Sequence, residues 1–172
     1  MHITIRLANP ADAQDMAEVG MKSWEVAYKH LLPADYIREK NATRVHQYKR
    51  VITDENTNSY VIQKDNKTVG IMKIAEPTDD DLDSRYFELH YLYLHPGCFR
   101  EGIGTLAMDY VFDHVRKLGK KYISLWVFAK NNDAIKFYEA CGFRPDGKTK
   151  TQERGWLMEI IRMIRDNQET NL

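Results

Sequence analysis

A chain of 172 residues, 43% hydrophobic and 29% charged, has enough apolar content for a full core, and a single domain is expected over residues 1–172. Its 25 Lys and Arg balance 25 Asp and Glu, so no net field recruits nucleic acid or an anionic membrane surface. MHITIRL lacks a basic flank leading into a long apolar run, and no run of about 18 apolar residues occurs, which together predict a soluble, cytoplasmic protein.

Ile3 and Ile5 alternate with polar neighbours in a short strand, and Asn9-Pro10 reads as an N-cap with proline at the first helical position. In the helix that follows, Ala13, Met16, Ala17, Met21, Trp24, Ala27 and Tyr28 form one apolar stripe. Pro33-Ala34-Asp35 starts a second helix, expected to run past Val45 toward Val51. Ser59 to Gln63 and Thr68 to Ile74 read as a hairpin closed by Asp65-Asn66-Lys67. Glu76 to Asp81 reads first as a solvated connection, and its run Asp79-Asp80-Asp81, with Asp83, would also attract a cationic amine.

Tyr86 to Leu94, YFELHYLYL, is the central strand, in which Glu88, His90, Leu92 and Leu94 share a face unless a bulge intervenes. After HPGCFREGIGT, Ile103, Leu106, Ala107, Tyr110, Val111, Val115 and Leu118 make a helical stripe ending near Gly119. Tyr122 to Phe128 is the next strand. Asn131 or Asn132 caps a short helix with Ala134, Phe137, Tyr138 and Cys141 on one face, and Gly142 sits where a left-handed cap belongs. Phe143 and Trp156 to Ile164 give the closing strands. Hairpins followed by strands joined through helices predict an α/β fold of three layers, a mixed sheet with helices on both faces.

Strand, Gly102-x-Gly104 loop and helix start gather free backbone N–H groups at the positive end of a helix, which suits a pyrophosphate. The loop lacks the Lys-Ser/Thr of a Walker A motif and the third glycine of the dinucleotide fingerprint, so NTP hydrolysis and NAD binding lose ground. By itself such a loop is equally a tight turn that lets a helix pack closely. Cys98 and Cys141 are too few for a disulfide framework and lack metal-ligand spacing, so no metal is expected.

YLYLHPGCFREGIGT, followed one helix and one strand later by NNDAIKFYEACGF, resembles the GNAT superfamily of N-acetyltransferases in two motifs and in their separation. Pro96, Gly102 and Gly104 fit the first motif, with Phe99 where that family has Gln or Arg; Asn131, Ala134, Phe137, Tyr138, Gly142 and Phe143 fit the second. SWEVAYKHLLP is similar to the acceptor-side helix of a bacterial subgroup.

The resemblance implies a mostly antiparallel mixed sheet splayed between two central parallel strands, 86–94 and 122–128. It implies acetyl-CoA as cosubstrate, its pyrophosphate held by the backbone of Arg100, Glu101, Gly102, Ile103, Gly104 and Thr105, with Asn131 and Tyr138 nearby. Leu92 and Leu94 would pair with the pantetheine amides, and an N–H near Leu92 or Tyr93 would face the thioester oxygen. The implied reaction is direct attack by a primary amine, without an acyl-enzyme, with Tyr138 as acid and Glu88, or else His90, as base. Trp24, Tyr28 and Glu88 would line the acceptor mouth. The implied partner is a small-molecule or peptide amine, with a homodimer left open; the alternative is a non-catalytic acetyl-CoA-binding sensor of the same fold.

Overall fold

The computed structural model describes residues 2–53 and 58–168. Seven strands, β1 Ile3–Leu7, β2 Asn58–Lys64, β3 Lys67–Ala75, β4 Tyr86–Leu94, β5 Tyr122–Phe128, β6 Arg144–Glu153 and β7 Leu157–Asp166, form one open sheet in the order β1-β2-β3-β4-β5-β7-β6. Only β4 and β5 run parallel; every other neighbouring pair is antiparallel. On one face lie helices α1 Ala13–Ala27, α2 Ala34–Ala42 and α3 Arg44–Thr53, and on the other α4 Ile103–Lys117 and α5 Asn132–Ala140. The three layers and mixed sheet expected from the sequence are therefore present.

Local chemistry accounts for most of the element boundaries. Asn9 and Asp12 form a reciprocal capping box over a 3-10 turn, Pro10–Asp12, that leads into α1. Asp65 and Asn66, at φ 49° and 68°, supply the paired left-handed residues of a tight hairpin turn between β2 and β3. The second helix is not continuous. It stops at Thr43, whose hydroxyl donates to the Lys40 carbonyl at 3.2 Å and whose carbonyl accepts from Gln47 N–H at 3.0 Å to begin α3. The break lets Ile37 join a cluster with Leu32 and Met158 while Tyr48 packs with Met16, Ala17 and Ile71.

The helical stripes are rotated slightly from the expected ones. Ala27, Leu106 and Leu118 are exposed, whereas Val19, Gly20, Met108 and Phe112 are buried. β6 is a strand that hydrophobic periodicity does not reveal, because nearly every residue of RPDGKTKTQE is exposed on the sheet edge.

The face assignment of β4 also differs. Lys73 pairs with Tyr91 and Ile74 with Leu89, so His90 is an extra residue, a bulge. Phe87 and Leu89 before it, and Leu92 and Leu94 after it, face α4 and α5, while Tyr91 and Tyr93 face α1. Glu88 therefore does not share a face with Leu92 and Leu94. Past the bulge β4 departs from β5: parallel pairing runs only from Tyr86↔Tyr122 to Leu89↔Leu125.

The segment Glu76 to Asp81 is pinned rather than solvated at its centre. Asp79, 8% exposed, accepts from Trp126 Nε1 at 2.8 Å and pairs with Lys150 and Arg162. Arg162, 3% exposed, also forks onto Asp81 at 2.7 and 2.8 Å and reaches Asp146 at 2.7 Å. Burial alone would raise Asp79, but the Lys150 and Trp126 hydrogen bonds bring its carboxyl below the ordinary range, and Arg162 does the same for Asp81. These lowered values mean that the stabilisation is present above about pH 4 and is lost as pH falls through the folded-state values. Arg162→Met should lower unfolding stability at pH 7 by about 3 kcal/mol, the scale of a broken buried ion pair. Urea denaturation as a function of pH checks this, with the gap to wild type narrowing below about pH 4.

Candidate active site

Where β4 and β5 part, a cleft of about 1190 Å³ passes through the sheet from the α4 and α5 face to the α1 face. That is on the scale of small-molecule and cofactor sites, roughly 300–1,000 Å³. At one end stands the loop between β4 and α4. His95 N–H donates to the Val69 carbonyl at 2.7 Å, a 3-10 turn Pro96–Cys98 follows, and Phe99 is extended. Arg100 at φ 63° and Gly102 at φ 80° then take left-handed conformations that curl the chain into α4.

The first bond of α4 runs from Leu106 N–H to the Gly102 carbonyl, 3.1 Å. The N–H groups of the preceding turn are thus left without helical partners, at the positive end of the helix dipole. Arg100, Gly102, Gly104 and Thr105 line the cleft here. Two expected cofactor residues direct their side chains elsewhere, leaving only their backbone to serve it. Glu101 pairs with Lys64 of β2 at 2.5 Å, and Ile103 is 1% exposed in the core. Gly104 lets the start of α4 pack closely on α5, since a Cβ there would lie 3.1 Å from Phe137 Cζ, tighter than an ordinary contact. Phe99 is 42% exposed and also lines the cleft.

The middle of the cleft is lined by Leu92, Tyr93 and Leu94 from β4 and by Asn131 and Tyr138 from the start and middle of α5. Asn131 Oδ1 caps that helix, accepting from Ala134 N–H at 3.4 Å. The edge of β4 from Tyr91 to Leu94 on the β5 side has no strand partner, so its backbone groups are available to an extended ligand. Trp24, Tyr28, Tyr93 and Phe128 pack edge to face at 5.1, 6.5 and 5.2 Å and wall the α1 side. Burial, and then the neighbouring phenols, push Tyr28 well above the usual tyrosine value; burial, then Tyr93, raises Tyr138 in the same way. Tyr138 is neutral at any working pH.

Glu88, 6% exposed, lies in the same cleft with His90, whose Nδ1 is 3.5 Å from Glu88 Oε1. Burial, followed by the charge of Asp79, pushes the Glu88 carboxyl up to about 7. Burial, followed by Lys73, lowers His90, which is therefore neutral at pH 7. Glu88 Oε2 and His90 Nε2 are buried without protein partners, a costly condition that a ligand or ordered water would relieve.

Apart from the exposed Asp80, which does not line the cleft, the acidic run is neutralised within the chain. Asp79 and Asp81 are matched by Arg162, Lys150 and Lys148, and Asp83 pairs with Arg85 at 2.7 Å. Trp126, Lys150, Gln152 and Arg154 also line the cleft, and the sequence pattern does not single them out. Trp126 was visible as one face of a strand, but nothing in β6 marks its residues. Among the described residues no group of His, Cys, Asp and Glu is placed to hold a metal, and no helix is long and apolar enough to cross a membrane.

The profile of the acetyltransferase (GNAT) family matches residues 20–143. The chain belongs to that family. It is 26% identical over 161 residues to an uncharacterized N-acetyltransferase of Methanocaldococcus jannaschii, covering 93% of this chain and 67% of the relative. Among solved structures, PaiA N-acetyltransferase from Thermoplasma acidophilum in complex with coenzyme A superimposes with a TM-score of 0.79 at 20% identity, covering 96% of this chain and 99% of that one. A putative acetyltransferase from Salmonella typhimurium with acetyl-CoA superimposes with a TM-score of 0.70 at 17% identity, covering 100% and 98%. The GNAT fold expected from the motifs is thereby established.

The raised Glu88 value makes a stability test of the site. A carboxyl whose folded pKa lies near 7, against 4.5 in a solvated chain, favours folding most below 4.5, and that advantage is lost as pH rises through 7. Glu88→Gln should therefore gain melting temperature relative to wild type between pH 5 and pH 8.5, measured by differential scanning calorimetry in both buffers.

Proposed function

We propose that the protein transfers the acetyl group of acetyl-CoA to a primary amine of a small molecule or peptide by direct attack, with no acyl-enzyme. The observation that carries this reading is continuity. One cleft joins the unpartnered N–H groups at the start of α4, the open edge of β4 and a buried carboxyl poised near neutral pH. The coenzyme A and acetyl-CoA in the two solved relatives agree with it.

The residues present fit the cosubstrate. The backbone from Arg100 to Thr105 would hold the pyrophosphate, and the free edge at Leu92 and Leu94 would receive the amides of the pantetheine arm. When bound, acetyl-CoA supplies the acetyl group as an activated thioester. Because His95 donates its N–H to Val69 of β3, Tyr93 two residues earlier also faces β3, and the N–H of Leu92 on the open edge is the one that would stabilise the charge developing on the thioester oxygen.

An amine arrives as an ammonium and must lose a proton before it attacks. Glu88, half ionised near pH 7, accepts that proton directly or through one water, a role for which a value near the working pH is optimal. His90, neutral and 3.5 Å from Glu88, orients the carboxyl and is the second choice for base.

Tyr138 faces the departing sulfur. An ordinary thiol titrates near about 8.5, far below this phenol, so complete proton transfer runs uphill. Its larger contribution is a hydrogen bond to the negative charge growing on sulfur.

Phe99, at the position where Gln or Arg is usual, favours a second reading: a sensor that keeps the cleft and lacks turnover. Thiol release from acetyl-CoA in the presence of a panel of amines separates the two, and Tyr138→Phe assigns the chemistry. Removing one hydroxyl should cut kcat by about 10²–10³ while acetyl-CoA affinity and melting temperature change little. Absence of thiol release from wild type with every amine, despite tight acetyl-CoA binding, would establish the sensor instead.

A further inference from the structure

The acceptor side of the cleft has a charge pattern that specifies more than an amine. Across the whole cleft five Lys and Arg stand against two carboxylates, and Lys29, Lys150 and Arg154 are the cations that lie away from the α4 loop and α5. One of the two carboxylates is Glu88, the other Asp133 in the first turn of α5. A polyamine would need a second carboxylate to hold its distal ammonium, and the aspartates best placed for that are already paired to Lys148, Lys150 and Arg162.

Lys150 and Gln152 share one face of β6, and with Arg154 of the turn beyond it they line the cleft, while Lys148 lies in the irregular stretch before them. The two lysines are answered within the chain: Lys148 by Asp81 at 3.3 Å and Lys150 by Asp79. Arg154 has no carboxylate partner among the described residues, although it is only half exposed and lines the cleft with Gln152, Tyr28 and His30. A guanidinium offers a planar fork of donors that matches the two oxygens of a carboxylate.

The turn that carries Arg154 is fixed in place. Its own N–H donates to the Trp156 carbonyl at 2.8 Å, and Trp156 Nε1 donates to the Leu31 carbonyl at 3.0 Å. Gly155, at φ 81°, packs so closely on the start of α2 that a Cβ would lie 2.8 Å from Pro33 Cγ and 3.0 Å from Tyr36 Cβ. The guanidinium therefore hangs from a preorganised support, which lowers the ordering cost of binding.

We infer that the acceptor is a primary amine that also carries a carboxylate, at the scale of an amino acid or short peptide, with the carboxylate bound by Arg154 and the Gln152 amide. This rests on the acetyltransferase reading and names the substrate class of the same cleft. The amine end then points toward Glu88 and the aromatic wall of Trp24, Tyr28 and Phe128 receives the intervening apolar part.

The test uses matched pairs, leucine, phenylalanine and alanyl-phenylalanine, each against its C-terminal amide, with spermidine as the polycation. Acetyl-CoA affinity is measured first, then thiol release, for wild type, Arg154→Gln and Arg154→Lys. The free-carboxylate member of at least one pair should exceed its amide about tenfold or more in kcat/KM. Arg154→Gln should erase that preference by raising KM for the carboxylate member about 10–100-fold, the range of a lost charge-assisted hydrogen bond, with Arg154→Lys intermediate. Acetyl-CoA affinity and melting temperature should match wild type in both variants. Equal turnover within every pair, preference for spermidine, or no turnover of any carboxylate-bearing amine by a protein that binds acetyl-CoA overturns this inference alone. Failure to bind acetyl-CoA overturns the reading beneath it.

Discussion

Everything at the candidate site depends on one extra residue in the central strand. His90 is the residue at which the pairing of β4 with β3 shifts by one, and the parallel pairing of β4 with β5 ends immediately before it, at Leu89. The bulge does two things at once. It exchanges the faces, sending Tyr91 and Tyr93 toward α1 and Leu92 and Leu94 toward α4, and it marks the point where β4 leaves β5. Unpaired backbone in a sheet interior is costly, so a fold that holds such an edge open without a protein partner has made a binding surface. The same bulge leaves Glu88 buried beside His90 instead of aligned with the leucines, and burial is what brings its carboxyl near neutrality.

The opening must be held against collapse, and the charged network behind it does that. Trp126 of β5 is fixed from below by Asp79 and flanked by Lys150, 4.3 Å from its ring centroid, and by Arg162 at 5.7 Å. Arg162 gathers Asp79, Asp81 and Asp146, tying the loop before β4 to β6 and β7 across the outer half of the sheet. The loop that arranges these aspartates is thus a structural strap, and Arg154 stays in the cleft lining without a carboxylate partner among the described residues. Access on the other side is set by aromatic packing, with Arg44 stacked 4.2 Å over Trp24 and holding that ring in the wall.

The sequence made the strands other than β6, the glycine loop and α5 legible because their signals are local. Capping residues, a hairpin turn of Asp65 and Asn66, and a left-handed Gly142 each follow from the chemistry of a few neighbours. The candidate catalytic set of Glu88, His90 and Tyr138 was reached through motif resemblance, and these residues do line one cleft. What could not be read is decided by partners far along the chain. Whether His90 is bulged depends on where Lys73 and Ile74 pair, and whether Asp79 is solvated depends on Arg162, distant in sequence. Arg154 was invisible for the same reason: a single arginine in the turn after an exposed edge strand acquires meaning only when the lysines before it prove to be neutralised and it does not.

The central claim is that the parted strands and the start of α4 form one binding surface for coenzyme A. Backbone amide NMR on nitrogen-15-labelled protein, titrated with coenzyme A and separately with ATP, tests it most directly. The account predicts that coenzyme A shifts the amide signals of Gly102, Gly104 and Thr105 together with those of Leu92 and Leu94, at saturation with a single set of new positions, and that ATP does not shift the β4 signals. Coenzyme A shifts confined to the helix start, or appearing elsewhere on the surface while the β4 edge stays unmoved, would contradict it.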